Sequence, residues 1–206
     1  MEKALQKFKI AITGGIGSGK SKATQIIEAL GFPTFSCDEI YKEVIISAEY
    51  VEKIEKCFPE CVVNHEVDRK KLAQIIFNNE AQQKKLNQIA HPFIMKKLFD
   101  KMNRRRENLV FAEVPLLFEG KYEDDFDFVL IIQRDTPKRI VSIKERDGLS
   151  DEEIAKRMQS QIDYDTLTMA NVFKKENYFI IENNTTIEDL KKNLYMVLSI
   201  IKNRVL

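Results

Sequence analysis

The sequence predicts an α/β protein, a doubly wound sheet of five parallel strands with helices on both faces. Three observations carry that reading: five short apolar runs spread along the chain, segments of helical periodicity between them, and a glycine-rich turn joining the first run to the first helical segment. The third and fourth runs are continuously apolar, as expected of parallel strands covered on both faces.

The first strand is expected over Phe8-Lys9-Ile10-Ala11-Ile12-Thr13, which is apolar and partly β-branched. Over 21–30, Ala23, Ile26, Ile27 and Leu30 recur at helical spacing, and Gly31 stands where a C-cap belongs. Phe32-Pro33-Thr34-Phe35 leads into a second short strand ending near Ser36-Cys37-Asp38, which completes a βαβ unit. Residues 42–58 and 68–106 carry almost no strand signal; Leu72, Ile75 and Ile76, then Ile94, Leu98 and Met102, fall at helical intervals. A helical insertion over about 39–107 follows, its longest helix expected to be kinked or divided at Pro92, which has no N–H to donate. Strands return at Leu109-Val110-Phe111-Ala112-Glu113 and Phe128-Val129-Leu130-Ile131-Ile132. Helices over 137–146 and 150–161 come next, the second opened by Ser150 with Glu153 three residues on, a capping box. Tyr178-Phe179-Ile180-Ile181-Glu182 is the fifth strand, and 187–202 an amphipathic closing helix. With no repeat, low-complexity tract or flexible linker, 206 residues read as one domain carrying the insertion and a lid over about 137–161.

Charge and cysteine usage narrow the function classes. Lys and Arg number 33 against 32 Asp and Glu, so there is no global field of the kind that marks nucleic-acid binders. Residues 1–7 lack the apolar core of a signal peptide, and no run approaches the roughly 18 apolar residues of a membrane span, so a soluble cytoplasmic protein is expected. Three cysteines suit a reducing compartment. Cys57, Cys61 and His65 have the spacing of ligands on one helix face, but Pro59 would break that helix and no fourth ligand is near, so small buried or half-buried thiols are the reading.

The segment Gly14-Gly15-Ile16-Gly17-Ser18-Gly19-Lys20-Ser21 satisfies the phosphate-binding P-loop pattern G-x-x-x-x-G-K-S/T at every fixed position, between a strand and a helix as the pattern requires. Glycines let the backbone close around phosphate oxygens, N–H groups and the positive helix end face the anion, Lys20 reaches the β- and γ-phosphates, and the Ser21 hydroxyl suits Mg²⁺. Nucleoside triphosphate binding by residues 14–21, with Lys22 beside them, is the expectation. That alone leaves a GTPase, a motor or transport ATPase and a small-molecule kinase open.

The remaining charged residues bear on that choice. In parallel α/β sheets the ligand crevice lies beyond the carboxyl ends of the strands, and Asp38 stands just past the second. A carboxylate there can accept a proton from an attacking hydroxyl, hold Mg²⁺ through water, or simply N-cap a helix beginning at Glu39. Glu113 ends a buried strand, the place of a Walker-B-type carboxylate that orients the metal's water shell. Pro115-Leu116-Leu117-Phe118-Glu119 is too apolar for a solvated loop, so it packs into the core or lines a pocket. Arg139, Arg146 and Arg157 fall on the two helices after the fourth strand, where a closing lid would bring them over the transferring phosphoryl group. Lys138, Lys144, Glu145, Asp147, Glu152 and Glu153 surround them, so an ordinary charged helix surface fits as well. Arg104-Arg105-Arg106 reads as the solvated end of a helix. There is no Asp-x-x-Gly switch segment and no Asn-Lys-x-Asp guanine-reading motif after a late strand.

In order and spacing these motifs resemble the dephospho-coenzyme A kinase family, P-loop kinases of the last step of coenzyme A synthesis. The resemblance rests on residues 12–21, Gly31-Phe32-Pro33 with Cys37-Asp38-Glu39-Ile40, Val67-Asp68-Arg69 followed by Leu72, Phe77 and His91-Pro92 with Ile94, Val114-Pro115-Leu116-Leu117-Phe118-Glu119, and the lid pattern Arg139, Arg146-Asp147, Arg157 and Gln161. It implies ATP as donor with Mg²⁺, Asp38 as the base that activates the ribose 3′-hydroxyl of dephospho-coenzyme A, and Lys20, Arg139 and Arg146 as catalytic groups. It further implies Arg157 on the nucleotide, and Arg69, His91, Pro115, Leu116, Leu117 and Glu119 on the acceptor. The expected partner is that small molecule, with neither nucleic acid nor membrane, in a monomer or small homo-oligomer. Where the family usually has Asp-Ala-Asp this chain has Ser36-Cys37-Asp38, Lys22 replaces the usual Thr, and 161–183 is longer than typical. A nucleoside monophosphate kinase differs from this reading in acceptor, and a nucleotide-dependent switch differs in having none.

Overall fold

The computed structural model describes residues 6–77, 79–170 and 173–205; residues 1–5 of the N-terminal stretch, and Asn171 and Val172 within 161–183, lie outside the described residues. In chain order the elements are β1 (Phe8–Thr13), α1 (Lys20–Ala29), β2 (Thr34–Ser36), α2 (Cys37–Val44), α3 (Ala48–Cys57), β3 (Val62–Val63), β4 (Glu66–Val67), α4 (Arg69–Ile76), α5 (Glu80–Asn103), β5 (Leu109–Glu113), β6 (Phe128–Gln133), α6 (Thr136–Asp147), α7 (Asp151–Gln159), α8 (Tyr164–Met169), β7 (Tyr178–Glu182) and α9 (Ile187–Val205). They group into two compact units, residues 1–34 with 105–206, and residues 35–104.

The sheet order is β2-β5-β1-β6-β7, so β1 lies in the middle. It pairs in parallel with β5, Ile10 opposite Phe111, and with β6, Ile10 opposite Phe128; β6 pairs in parallel with β7. Successive strand residues face opposite sides. Ile10, Ile12, Phe111, Leu130 and Ile132 pack with Ile26 and Ile27 of α1 and Leu190, Leu194 and Leu198 of α9. The intervening Ala11, Val110, Ala112, Val129 and Ile131 are equally enclosed, which explains why β5 and β6 read as unbroken apolar runs.

Strand ends and caps follow local chemistry. Leu30 is the C-cap of α1, and Gly31 follows it in the left-handed region (φ 86°), its N–H on the Glu28 carbonyl at 2.8 Å. The capping box at Ser150 and Glu153 is formed, but α7 stops at Gln159 with Ser160 as its cap, short of the expected 161. Asp163 then accepts N–H groups of Asp165 and Thr166 to open α8, a six-residue helix too short for the periodicity reading to find.

The second unit is helical, with one small hairpin. Asn64 (φ 50°) and His65 (φ 62°) turn β3 into β4. Helix α3 ends at Cys57 and Pro59 opens a 3₁₀ turn through Cys61, so Cys57, Cys61 and His65 do not share a helix face. Helix α5 is not divided at Pro92: it runs unbroken from Glu80 to Asn103. The proline withdraws the N–H that would meet the Gln88 carbonyl, costing about 3 kcal/mol, but burial of Leu86, Ala90, Met95, Leu98 and Met102 on either side holds both halves. Glu43 of α2 pairs with Lys97 (3.1 Å) and Lys101 of α5, and those ammonium groups hold its carboxyl below the usual range. Among the described residues no helix is long and apolar enough to cross a membrane.

Candidate active site

The phosphate loop leaves the carboxyl end of β1 and ends in α1, whose N-cap is Gly19 in the left-handed region (φ 98°), a conformation that requires glycine. At Gly15 a Cβ would lie 2.3 Å from a terminal guanidinium nitrogen of Arg139, so a side chain there would push that arginine aside. Lys20 is buried, and its ammonium donates to the carbonyls of Gly14 (2.8 Å) and Gly15 (3.1 Å), which folds the side chain back along the loop.

Ser21 and Glu113 meet as expected of a loop hydroxyl and a strand-end carboxylate. Ser21 Oγ donates to Glu113 Oε1 at 2.9 Å and Thr24 Oγ1 donates to Oε2 at 3.3 Å, while Glu113 itself is only 7% exposed. Hydroxyl and carboxylate oxygens are donors that a hard cation takes. Among the described residues no cluster of three or more His, Cys, Asp or Glu could hold a metal. The Ser21–Glu113 donor set fits Mg²⁺, which is ordinarily bound through one or two protein oxygens with phosphate and water completing its shell.

Late segments of the chain close on the loop. Arg139 Nε donates to the Ile16 carbonyl at 2.9 Å, Gln161 Oε1 accepts the Ile16 N–H at 2.7 Å, and Asn183 Nδ2 donates to the Ser18 carbonyl at 2.8 Å. Tyr164 shares a buried hydrogen bond with Thr13 at the end of β1 (3.0 Å), and burial raises the pKa of its phenol. Arg139 is buried, and desolvation lowers its pKa against the opposing pull of Asp165 and Asp163. Of these partners the sequence marks only Arg139 for a role at the phosphates; Gln161 stands in the lid pattern without a role of its own, and Asn183 and Tyr164 are missed. For Asn183 there is a positional signal, since it follows the last strand at its carboxyl end.

The other expected site residues separate into groups. Arg146 Nε donates to Asp147 (2.7 Å) and Arg157 lies 3.7 Å from the same carboxylate, both arginines more than half exposed, so these pairs contribute little and hold the side chains loosely. Lys22 is exposed on the first turn of α1. In the segment after β5, Leu117 is completely enclosed and its side chain belongs to the core rather than a pocket wall, Phe118 stacks with Phe173 at 5.0 Å, and Pro115 and Leu116 are half-buried. Glu119 turns inward, Oε1 accepting the Ile162 N–H at 3.0 Å.

In the unit of residues 35–104, Asp38 is not the N-cap expected of a helix beginning at Glu39. Helix α2 starts at Cys37 and Ser36 caps it, Oγ accepting the Asp38 N–H at 3.2 Å, because the strand ends one residue early and the hydroxyl already satisfies that donor. Asp38 is exposed, and its charge complements the positive helix end. Arg69 opens α4 just after its cap Asp68, and His91 is half-buried on α5, where desolvation lowers its pKa.

A family model described as dephospho-CoA kinase matches residues 8–189. A dephospho-CoA kinase of Thermus thermophilus is 32% identical over 190 residues, 92% of this chain and 90% of that protein. That of Fusobacterium nucleatum is 31% identical over 187 residues, 90% of this chain and 94% of its own. Among solved structures, TT1252 from Thermus thermophilus superposes with a TM-score of 0.78 at 30% identity, covering 94% of this chain and 97% of that one. Dephospho-CoA kinase from Campylobacter jejuni gives 0.59 at 27%, covering 95% and 97%. Shikimate kinase from Acinetobacter baumannii, at 0.50 and 15% with 98% and 97% covered, shares the fold alone. Since the match begins at the first strand, takes in the phosphate loop and continues past the last strand, the chain belongs to the dephospho-CoA kinase family, phosphotransferases on the P-loop kinase fold.

Proposed function

We propose that this chain transfers the γ-phosphoryl group of ATP to the ribose 3′-hydroxyl of dephospho-CoA in the cytoplasm, giving CoA and ADP. The observation that carries the reading is the pairing of Ser21 on the first turn of α1 with Glu113 at the end of β5, which brings metal donors to the end of a complete phosphate loop. Backbone N–H groups of residues 14–21, apart from that of Ile16 which Gln161 holds, and the Lys20 ammonium hold the phosphate chain, with Lys22 and Arg157 adding charge. Ser21 and Glu113 would hold Mg²⁺, with Asp38 contributing through water, and the ion would supply positive charge to offset that of the phosphates.

The 3′-oxygen attacks the γ-phosphorus, its bond to phosphorus forms as the bond to the bridging oxygen breaks, and the hydroxyl proton passes to the Asp38 carboxylate. Arg139 and Arg146 stabilise charge on the transferring group. Arg69, His91, Pro115, Leu116 and Glu119 are assigned to the acceptor side, residues 35–104 acting as its binding insertion and 137–161 as a lid. The test is ADP release by purified protein with Mg-ATP and dephospho-CoA, a nucleoside monophosphate or no acceptor, with product mass determined in parallel. A CoA product is expected; ADP formed only with another acceptor would overturn the substrate, and acceptor-independent hydrolysis would overturn the kinase reading.

A further inference from the structure

We propose that Gln161 is a positioning residue that fixes the phosphate loop in its binding shape before nucleotide arrives, and so sets the affinity for the phosphate chain through the loop backbone rather than by touching ligand. Both polar backbone groups of Ile16 are engaged from outside the loop, the N–H by Gln161 and the carbonyl by Arg139, while the Ser18 carbonyl is engaged by Asn183. Gln161 is itself held in place. Helix α7 ends two residues before it, the Ile162 N–H is bound by Glu119, Asp163 caps α8, and Tyr164 reaches Thr13 beneath the loop. A single non-helical step thus ties the apolar segment after β5 to the start of the loop.

Glycine loses more freedom on ordering than any other residue, and this loop has four in six positions, 14 to 19. A loop ordered during folding does not have to be ordered again by its ligand, which raises affinity without any new ligand contact. Losing one hydrogen bond to a half-buried N–H corresponds to about a five- to tenfold weaker dissociation constant.

The inference rests on the loop being the phosphate site. Gln161→Met keeps the volume and removes the acceptor, and its affinities for Mg-ATP and for inorganic tripolyphosphate, which has no base or sugar, are compared with wild type by calorimetry. Both are expected to weaken by the same five- to tenfold factor. Amide exchange at Ile16, protected in the nucleotide-free wild type, is expected to accelerate in the variant. Weakened ATP with unchanged tripolyphosphate would mean that Gln161 touches the nucleoside, and unchanged affinity for both with a lower melting temperature would mean a purely structural role; either overturns the proposal. An unprotected Ile16 amide in wild type overturns it without any variant. If Gln161→Met yields no folded protein, Gln161→Asn, which withdraws the acceptor by one methylene, carries the same expectations. Wild type that binds neither ATP nor tripolyphosphate would instead sink the phosphate-site assignment itself.

Discussion

Asp38 carries an exposed carboxylate that helix capping does not consume, because Ser36 meets the first-turn N–H in its place. Asp38→Asn preserves size and polarity while removing the proton acceptor, so turnover should fall at least about a hundredfold with ATP affinity nearly unchanged. Lys20→Ala should act one step earlier and abolish ATP binding. Single-turnover kinetics beside calorimetry separates the two, and near-normal turnover in Asp38→Asn would remove its assignment as base. At this scale the loop was legible because its spacing is local and fixed, and Glu113 because a carboxylate at the end of an apolar strand has few other uses. The contacts of Gln161 and Asn183 with the loop and of Tyr164 with the end of β1 were not, since they meet residues 145, 165 and 151 positions earlier, and only Asn183, just past the last strand, carries a positional signal.

Helix α5 shows how packing outweighs a local rule, and it also carries a pH dependence. Burial lowers the pKa of His91 in the folded protein, while in the unfolded chain it titrates near 6.5. Above that value the imidazole is neutral in both states and stability is at its full level. As pH falls through it the unfolded chain binds a proton that the folded one resists, so stability declines. Carboxylates with lowered pKa, such as Glu43 and Asp147, add acid sensitivity only further down. Urea midpoints should therefore drop between pH 7.5 and 5.5, and His91→Gln should flatten that slope; equal slopes in the two proteins would exclude His91 as its source. Most elements were legible because their lengths exceed the hydrophobic period: the strands of the large sheet stand at or within a residue or two of their expected places. Two kinds were not, the two-residue strands β3 and β4 and the short α8, which turn residues and an aspartate cap define rather than periodicity.

For the whole molecule, nucleotide binding and stability are linked. A ligand that binds only the folded chain stabilises it by about 2.7 kcal/mol at a hundred times its dissociation constant, which for a protein of this size raises the melting temperature by roughly 5–10 °C. Mg-ATP should produce such a shift in wild type and none in Lys20→Ala; an equal shift in both would place the nucleotide elsewhere.

Sheet order has a consequence for how the protein is made. Its phosphate-binding signature leaves the ribosome before every strand that supports it, for the strand that presents it has no hydrogen-bonded neighbour until Phe111 can lie beside Ile10, and Asn183 reaches Ser18 only 165 residues later. At 5–20 residues per second that is a wait of roughly 10–30 s. A nascent or prematurely terminated chain therefore carries the signature without its shape, and stays silent toward ATP until the last strand and Asn183 have been made.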